Sequence, residues 1–242
     1  MKIISYAIWG NNPIYNEGIL LNIADAARFY PGWTCRVYCD EMSPVYHKLK
    51  DVCELVPFVP VKDGDKYSWT NLLWRYRPTE ENVDCIFRDA DSRLSDREAK
   101  AVEAWLSSGK ALHVMHDDIA HYRYPICSGM WGIRNGWLSR FSEMVSCWMQ
   151  SKSMSEVYDK SIAFDELFLS EVIWPMFKYG NYLGHGVHIR HYLQPYGDND
   201  HMFPLSEPME FGRYVGETVG LPVEKKKQPK FFFFRKSVDQ IQ

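Results

Sequence analysis

Short apolar runs alternate with segments of helical periodicity along the first 177 residues of this 242-residue chain. The pattern begins with the apolar run 3–8 and the segment 17–30, where apolar residues recur at helical spacing. Strands that alternate with helices indicate an α/β fold with a central, mainly parallel sheet flanked by helices. The further predicted strands are 34–39, 53–61, 84–88, 111–115 and 129–133. The further predicted helices are a short one that begins at 43–44, followed by 68–76, 96–106, 137–149 and 164–177.

The chain is predicted to form one domain, residues 1–220, followed by a tail, residues 221–242. Its length suits a single α/β domain, and the sequence contains neither an internal repeat nor a linker. The tail combines a lysine cluster at 225–227 with four consecutive phenylalanines at 231–234. Such a segment is either a terminal strand or tail, or a patch that contacts a membrane surface.

Charge, cysteine content and apolar runs limit the partners and the cellular compartment that are expected for this chain. The net charge of −3 provides no basic field for nucleic acid. Six cysteines occur without a Cys-x-x-Cys pair, which is typical of free thiols in a reducing compartment. The sequence has no apolar run of about 18 residues, and its apolar N-terminal stretch, 3–9, is too short for a signal peptide. These features predict a cytoplasmic protein without a transmembrane segment.

The sequence Asp89-Ala90-Asp91 follows the predicted strand 84–88 and offers two carboxylates at one strand end. Residues two apart in an extended chain point to the same side. Ligands of open α/β sheets bind at the carboxyl ends of the strands. Two carboxylates there can hold Mg²⁺ or Mn²⁺, with phosphate oxygens in the remaining positions. A solvated turn is the alternative interpretation.

Three neighbouring features add to this candidate site. Arg88 and Arg93 flank the two aspartates and can offset their charge or bind phosphate. The stretch 128–132 contains glycines, which allow a ligand to approach the backbone closely. Asp165 and Glu166 open an apolar helix and offer a carboxylate for proton abstraction.

The order of these motifs resembles that of GT-A glycosyltransferases, in particular the small single-domain enzymes of large DNA viruses and some bacteria. The resemblance covers residues 1 to about 220 and is specific only in combination. It rests on the stretches 5–10, 31–33, 73–76, 87–93, 128–132 and 164–166, and on the later 203–204 and 211–217.

For the sugar donor, the resemblance implies a nucleotide-diphosphate sugar, with uridine as the expected nucleoside. Tyr6, Ala7 and Ile8 would line the base. Arg75 would steady the donor phosphates or the aspartate pair. Gly129 and Met130 would border the sugar and the acceptor.

For the chemistry, the resemblance implies a metal-dependent, inverting transfer to a hydroxyl of a glycan, a lipid-linked sugar or a protein. Asp89 would contact the ribose or the metal shell, and Asp91 would ligate the metal. Asp165 or Glu166 would deprotonate the acceptor.

The family often adds a late histidine ligand next to an aspartate. This sequence lacks that pairing, and His191 is the candidate. A viral source would place the enzyme in the host cytoplasm.

Two other functions stay open. Phosphatases of the haloacid dehalogenase type also carry Asp-x-Asp after a strand, so Asp89 would then be a nucleophile. Asp117-Asp118 would supply their second acidic pair, although three strands precede the motif in this chain. A module that binds a nucleotide sugar without transferring it is the third possibility.

Overall fold

The computed structural model describes residues 1–152, 163–186, 200–202 and 214–219. Eight strands form one sheet, in the order β10-β9-β7-β8-β6-β1-β2-β3, and β4 and β5 form a separate antiparallel hairpin. The strands are β1 (Lys2–Ile8), β2 (Thr34–Asp40), β3 (Glu54–Phe58), β4 (Lys62–Asp63), β5 (Lys66–Tyr67), β6 (Asp84–Arg88), β7 (Leu112–His116), β8 (Met130–Ile133), β9 (Tyr182–Gly186) and β10 (Asp200–Met202).

The sheet is parallel except at β8, which runs antiparallel to both of its neighbours, β6 and β7. The predicted α/β class and its mainly parallel sheet are therefore confirmed. The helices are α1 (Pro13–Phe29), α2 (Tyr46–Leu49), α3 (Asp96–Ser108), α4 (Phe141–Ser151), α5 (Phe164–Phe168) and α6 (Trp174–Phe177). Two 3₁₀ helices span Trp69–Glu80 and Ile119–Arg123, and a π-helical turn, Leu169–Ile173, joins α5 to α6.

The predicted element bounds shift at several places. The predicted helix 68–76 is a 3₁₀ helix that continues through Pro78, and the predicted helix 137–149 begins only at Phe141. The hairpin β4–β5 and strand β9 were not predicted. Residues 187–199 and 221–242 lie outside the described residues, so His191 and the tail do as well.

Capping residues account for the start of two helices on one face of the sheet. The side chain of Asn12 accepts a hydrogen bond from the backbone N–H of Ile14, and Pro13 occupies the first position of α1. Ser95 caps α3 by accepting from the N–H of Glu98 at 3.3 Å. The other half of a capping box does not form, because the Glu98 carboxylate accepts a hydrogen bond from the Tyr30 hydroxyl instead.

Alternation along β6 divides its side chains between two cores. Cys85 and Phe87 pack on the face covered by the 3₁₀ helix Trp69–Glu80, α4 and α5. Ile86 and Arg88 lie on the opposite face, which α1 and α3 cover. Consecutive residues at the end of β6 therefore serve different faces of the sheet.

Strand β1 is the point at which the order of the sheet reverses. Its neighbours are β2 on one side and β6 on the other, both parallel to it. Chain connections leave such a point in opposite directions and open a crevice at the carboxyl ends of the strands. Asp89 directly follows β6 at this edge. No helix in the described part of the chain is long and apolar enough to cross a bilayer.

Candidate active site

One buried arginine joins two carboxylates at the carboxyl end of β6. The guanidinium of Arg75 donates from Nη1 to Asp89 Oδ1 and from Nη2 to Asp165 Oδ2, the latter at 2.7 Å. The Tyr76 hydroxyl donates to the same oxygen of Asp165 at 2.9 Å. The side chains of Arg75 and Asp165 are 3% and 2% exposed, whereas Asp89 is 40% exposed. The cluster is therefore anchored inside the protein and opens outward at Asp89.

Asp91 lies beside this cluster at the predicted cation site. Burial and the nearby Asp89 carboxylate raise its pKa, and the hydroxyl of Thr218, which donates to Asp91 Oδ2 at 3.2 Å, opposes that rise. A cation offsets the repulsion between two neighbouring carboxylates, and carboxylate oxygens are the ligands that Mg²⁺ and Mn²⁺ prefer.

The two carboxylates therefore suit a divalent cation, but the described residues do not supply a complete set of ligands. Across the described ranges, no group of three or more His, Cys, Asp or Glu side chains is arranged to hold a metal ion. Asp89 and Asp91 supply two carboxylates, so further ligands would come from phosphate oxygens or water. His191, the predicted third ligand, lies outside the described residues.

A cavity of about 200 Å³ opens next to Asp89. Its wall comes from the 3₁₀ helix Ile119–Arg123, the loop before β8 and the start of α5, and it includes two carboxylates, Asp89 and Glu166. The remaining lining residues are Ala120, His121, Arg123, Tyr124, Cys127, Ser128, Gly129, Met130, Ala163 and Gly216. The predicted Gly129 and Met130 thus line the same cavity as Glu166.

The structure gives the two predicted proton acceptors different environments. Asp165 is held by Arg75 and Tyr76 and is closed to solvent. Glu166 lines the cavity. Burial, followed by the neighbouring Asp165, raises its pKa to about 7, while a backbone bond at Ser128 opposes the rise. A carboxylate with this pKa exchanges protons near neutral pH, so Glu166 is the stronger candidate base.

Gly129 has a different role from the one predicted for the glycine-containing stretch. A Cβ built at this position would lie 1.9 Å from Asp89 Oδ2. The missing side chain therefore makes room for a carboxylate of the chain itself. Without that room, Asp89 could not reach Arg75 in its present position.

The structure buries three side chains that were predicted to lie at the donor site. Tyr6 is fully buried, and Ile8 is nearly so. The guanidinium of Arg88 is also buried, on the opposite face of the sheet, where it pairs with Glu98 at 3.4 Å and donates to the carbonyl of Phe87 at 2.8 Å. The predicted contacts of a ligand with the side chains of Tyr6, Ile8 and Arg88 are corrected accordingly. Strand alternation is the physical reason, because Arg88 points away from the side that Asp89 faces.

Ala7 and Arg93 complete the predicted set. Ala7 is half-buried near the carboxyl end of β1, close to the sheet edge where Asp89 lies. Arg93 donates from Nη1 to the backbone carbonyls of Ala90 at 3.0 Å and Ser92 at 2.7 Å. Its observed contacts hold the loop that carries the two aspartates.

Sequence reasoning missed several residues that the fold brings to the site. Tyr76 belongs to the stretch 73–76, one of those on which the resemblance rests. Its bond to Asp165, however, joins two segments that are 89 residues apart. Arg123 and Tyr124 line the cavity, and no motif marked them. Thr218 lies one residue beyond the last quoted stretch and carried no local signal.

No model of a known protein family matches the chain, and no curated protein matches its sequence. The site is therefore defined by its own geometry. It is a carboxylate-lined cavity at the carboxyl edge of a mainly parallel α/β sheet.

Proposed function

We propose that this protein is a metal-dependent glycosyltransferase of the GT-A type. It would move a sugar from a nucleotide-diphosphate sugar, most simply a UDP-sugar, to an acceptor hydroxyl. The proposal rests on one observation. Glu166 and Asp89 line the same cavity, and a further carboxylate, Asp91, lies beside Asp89. The sheet's reversal at β1 adds support, since nucleotides bind at such edges of α/β sheets.

The donor half of the proposal uses the two strand-end aspartates. Asp91 and Asp89 would hold Mg²⁺ or Mn²⁺ together with the diphosphate oxygens. A bound cation stabilises the charge that collects on the leaving diphosphate. Arg75 keeps Asp89 in place and brings a positive charge to the same edge of the sheet.

The transfer half uses Glu166 as the general base. The acceptor oxygen forms a bond to the anomeric carbon while the bond to the diphosphate oxygen breaks, and the hydroxyl proton passes to Glu166. A single displacement of this kind inverts the anomeric configuration. Asp165 positions Arg75 and contacts no ligand, because it is enclosed. A base whose pKa is near 7 has both the protonation state and the driving force for this step.

The phosphatase alternative is weaker in this geometry. One oxygen of the required nucleophile, Asp89, bonds to Arg75. Asp117, which would belong to the second acidic pair, accepts two bonds from Arg97, at 2.9 and 2.7 Å. Both carboxylates are already engaged with arginines. Trapping of a phosphorylated Asp89 would reverse this preference.

Calorimetric titration with nucleoside diphosphates and their sugars tests the proposal. Wild type should bind one diphosphate in Mn²⁺ and lose that binding in EDTA. The Asp91→Asn variant should lose the metal-dependent part, and Asp96→Asn, an exposed carboxylate on α3 paired to Lys100, is the matched control. Equal binding by wild type and Asp91→Asn would contradict the proposal.

Release of the nucleotide diphosphate from the bound donor, with a panel of acceptors, then separates a transferase from a binding module. Turnover with any acceptor excludes the module that binds without transfer. Vesicles of anionic lipid can be added to the same assay, since the basic and aromatic tail is proposed as a peripheral membrane contact.

A further inference from the structure

Residues Tyr214–Val219 form a short segment, here named the strap, that crosses the edge of the candidate site. At its first end, the backbone N–H of Val215 donates to Asp117 Oδ2 at 3.0 Å. Asp117 is itself fixed by two bonds from Arg97. The ring of Tyr214 also meets His121 edge to face, with centroids 5.2 Å apart. The first end of the strap is therefore attached to the loop after β7.

The second end of the strap reaches Asp91. The Thr218 hydroxyl donates to Asp91 Oδ2 at 3.2 Å, and the backbone N–H of Val219 donates to the Asp91 carbonyl at 2.7 Å. Side chain and backbone of this aspartate are thus both bonded to the strap. Such paired bonds restrict the orientation of a carboxylate more than either bond alone.

The middle of the strap forms part of the cavity wall. Gly216 lines the cavity and has a φ of +83°, a conformation that side chains disfavour. A Cβ at this position would also lie 2.2 Å from the sulfur of Met130. The backbone of the strap therefore packs directly on a residue that the cavity shares.

We infer that the strap is a working part of the site, and that Thr218 is a positioning residue that orients Asp91 for a divalent cation. This inference rests on the proposed function, because that function assigns the cation to Asp91. A segment that only covered the surface would have no need to contact Asp91, Met130 and the cavity together. The strap has only six residues, and its first, middle and last parts each contact the site or a residue that supports it.

The test compares Thr218→Val with Thr218→Ser in the full chain. Valine keeps the shape of threonine without the hydroxyl, and serine keeps the hydroxyl. Free Mn²⁺ is followed by electron paramagnetic resonance as the metal alone is titrated into each protein. Thr218→Val should weaken Mn²⁺ affinity roughly 3- to 10-fold, as expected for one lost hydrogen bond, whereas Thr218→Ser should bind like wild type. Unfolding midpoints in EDTA should agree for all three proteins.

The outcomes separate this inference from the proposed function. If wild type binds Mn²⁺, Asp91→Asn does not, and Thr218→Val binds as tightly as wild type, the inference is overturned while the proposed cation site stands. If wild type binds no Mn²⁺, the cation site itself fails and the inference fails with it. Equal weakening in the valine and serine variants would also overturn it, because the hydroxyl would then have no part.

Attachment of the strap is measured separately by amide hydrogen exchange without metal. The amides of Val215 and Val219 should exchange slowly in wild type, since both are hydrogen-bonded. Asp117→Leu removes the first attachment and should speed exchange at both amides. Exchange at Val219 that stays unchanged in this variant would show two independent contacts and overturn the strap as one unit.

Discussion

Two arginine–carboxylate clusters lie on opposite faces of the same sheet and differ in what surrounds them. Arg88 and Glu98 pair across 3.4 Å, and both side chains are almost wholly enclosed. Arg75 and Asp165 form an equally buried pair, but the guanidinium also reaches Asp89, which is 40% exposed. The first cluster is closed, and the second continues into a cavity.

The balance of charge separates the two clusters further. The closed cluster matches one arginine to one carboxylate. In the open cluster, Asp89 contributes to the raised pKa values of Asp91 and Glu166, and Asp165 contributes to that of Glu166. In the described part of the chain, Arg75 forms ion pairs with Asp89 and Asp165. A closed and balanced pair contributes structure. An open cluster with excess negative charge attracts a cation and can hold a proton, as the proposed function requires.

Glu166→Gln should produce the largest effect and tests the open cluster. Loss of a general base lowers the transfer rate about 10²- to 10⁴-fold. Donor binding, and the free energy of unfolding at about pH 4.5 and below, should stay close to wild type, because the amide has the same shape as the protonated carboxyl group. Glu166→Asp should recover part of the rate. The rate is measured as nucleotide diphosphate released with acceptor, and an unchanged rate in the glutamine variant would remove Glu166 as the base.

Glu98→Gln tests the closed cluster and should act on stability alone. It leaves the buried Arg88 charge without a counter-charge, which costs about 3–5 kcal/mol of unfolding free energy. Glu143→Gln, in the exposed pair with Arg140, is the control and should leave the free energy of unfolding close to wild type. Denaturant unfolding measures both. A loss of Mn²⁺ binding in still-folded Glu98→Gln would erase the distinction between the clusters.

The ionisation of Glu166 should make the free energy of unfolding depend on pH. Its folded pKa of about 7 lies above its ordinary value of 4.5, so folding takes up a proton between these values. The resulting stabilisation is complete below about pH 4.5 and is lost as the pH rises through about 7. Relative to Glu166→Gln, wild type should lose roughly 1–3 kcal/mol of unfolding free energy between pH 4.5 and 8. Parallel curves for the two proteins would place an ordinary, solvated carboxylate at this position.

Gly129→Ala should have the smallest effect on stability and sharpen the role of Asp89. The added methyl occupies the position of Asp89 Oδ2 and forces that carboxylate away from Arg75. Unfolding free energy should fall by about 1–2 kcal/mol, as for a modest overpacking, and Mn²⁺ affinity should fall with it. Ser128→Ala, one residue earlier, is the control. Unchanged Mn²⁺ affinity in Gly129→Ala would show that Asp89 need not stand where Arg75 holds it.

Local pattern was enough to predict the fold class and the placement of the strand-end aspartates. Apolar periodicity located β1, α1, β2 and β6, and Asp89 lies at the carboxyl end of β6 as expected. It could not assign Arg88 correctly, because the partner of this arginine comes from α3. Ser95 caps that helix, whereas the carboxylate of Glu98, three residues later, turns into the core.

Other parts of the site depend on contacts between distant segments. The bond from Arg75 to Asp165 spans 90 residues, and that from Tyr76 to the same carboxylate spans 89. The close approach of Gly129 to Asp89 follows from the pairing of β8 with β6. Residue types near each position are compatible with many such pairings, so only the assembled sheet selects among them.

The bond between Thr218 and Asp91 affects the order in which parts of the structure can form during synthesis. The two residues are 127 positions apart, and the hydroxyl belongs to the later one. A chain leaving the ribosome can therefore form β1, β2, β3 and β6 well before the strap has been synthesised. During that interval Asp91 lacks its bond from Thr218. The growing chain can therefore complete this edge of the sheet only after residue 218 has been synthesised.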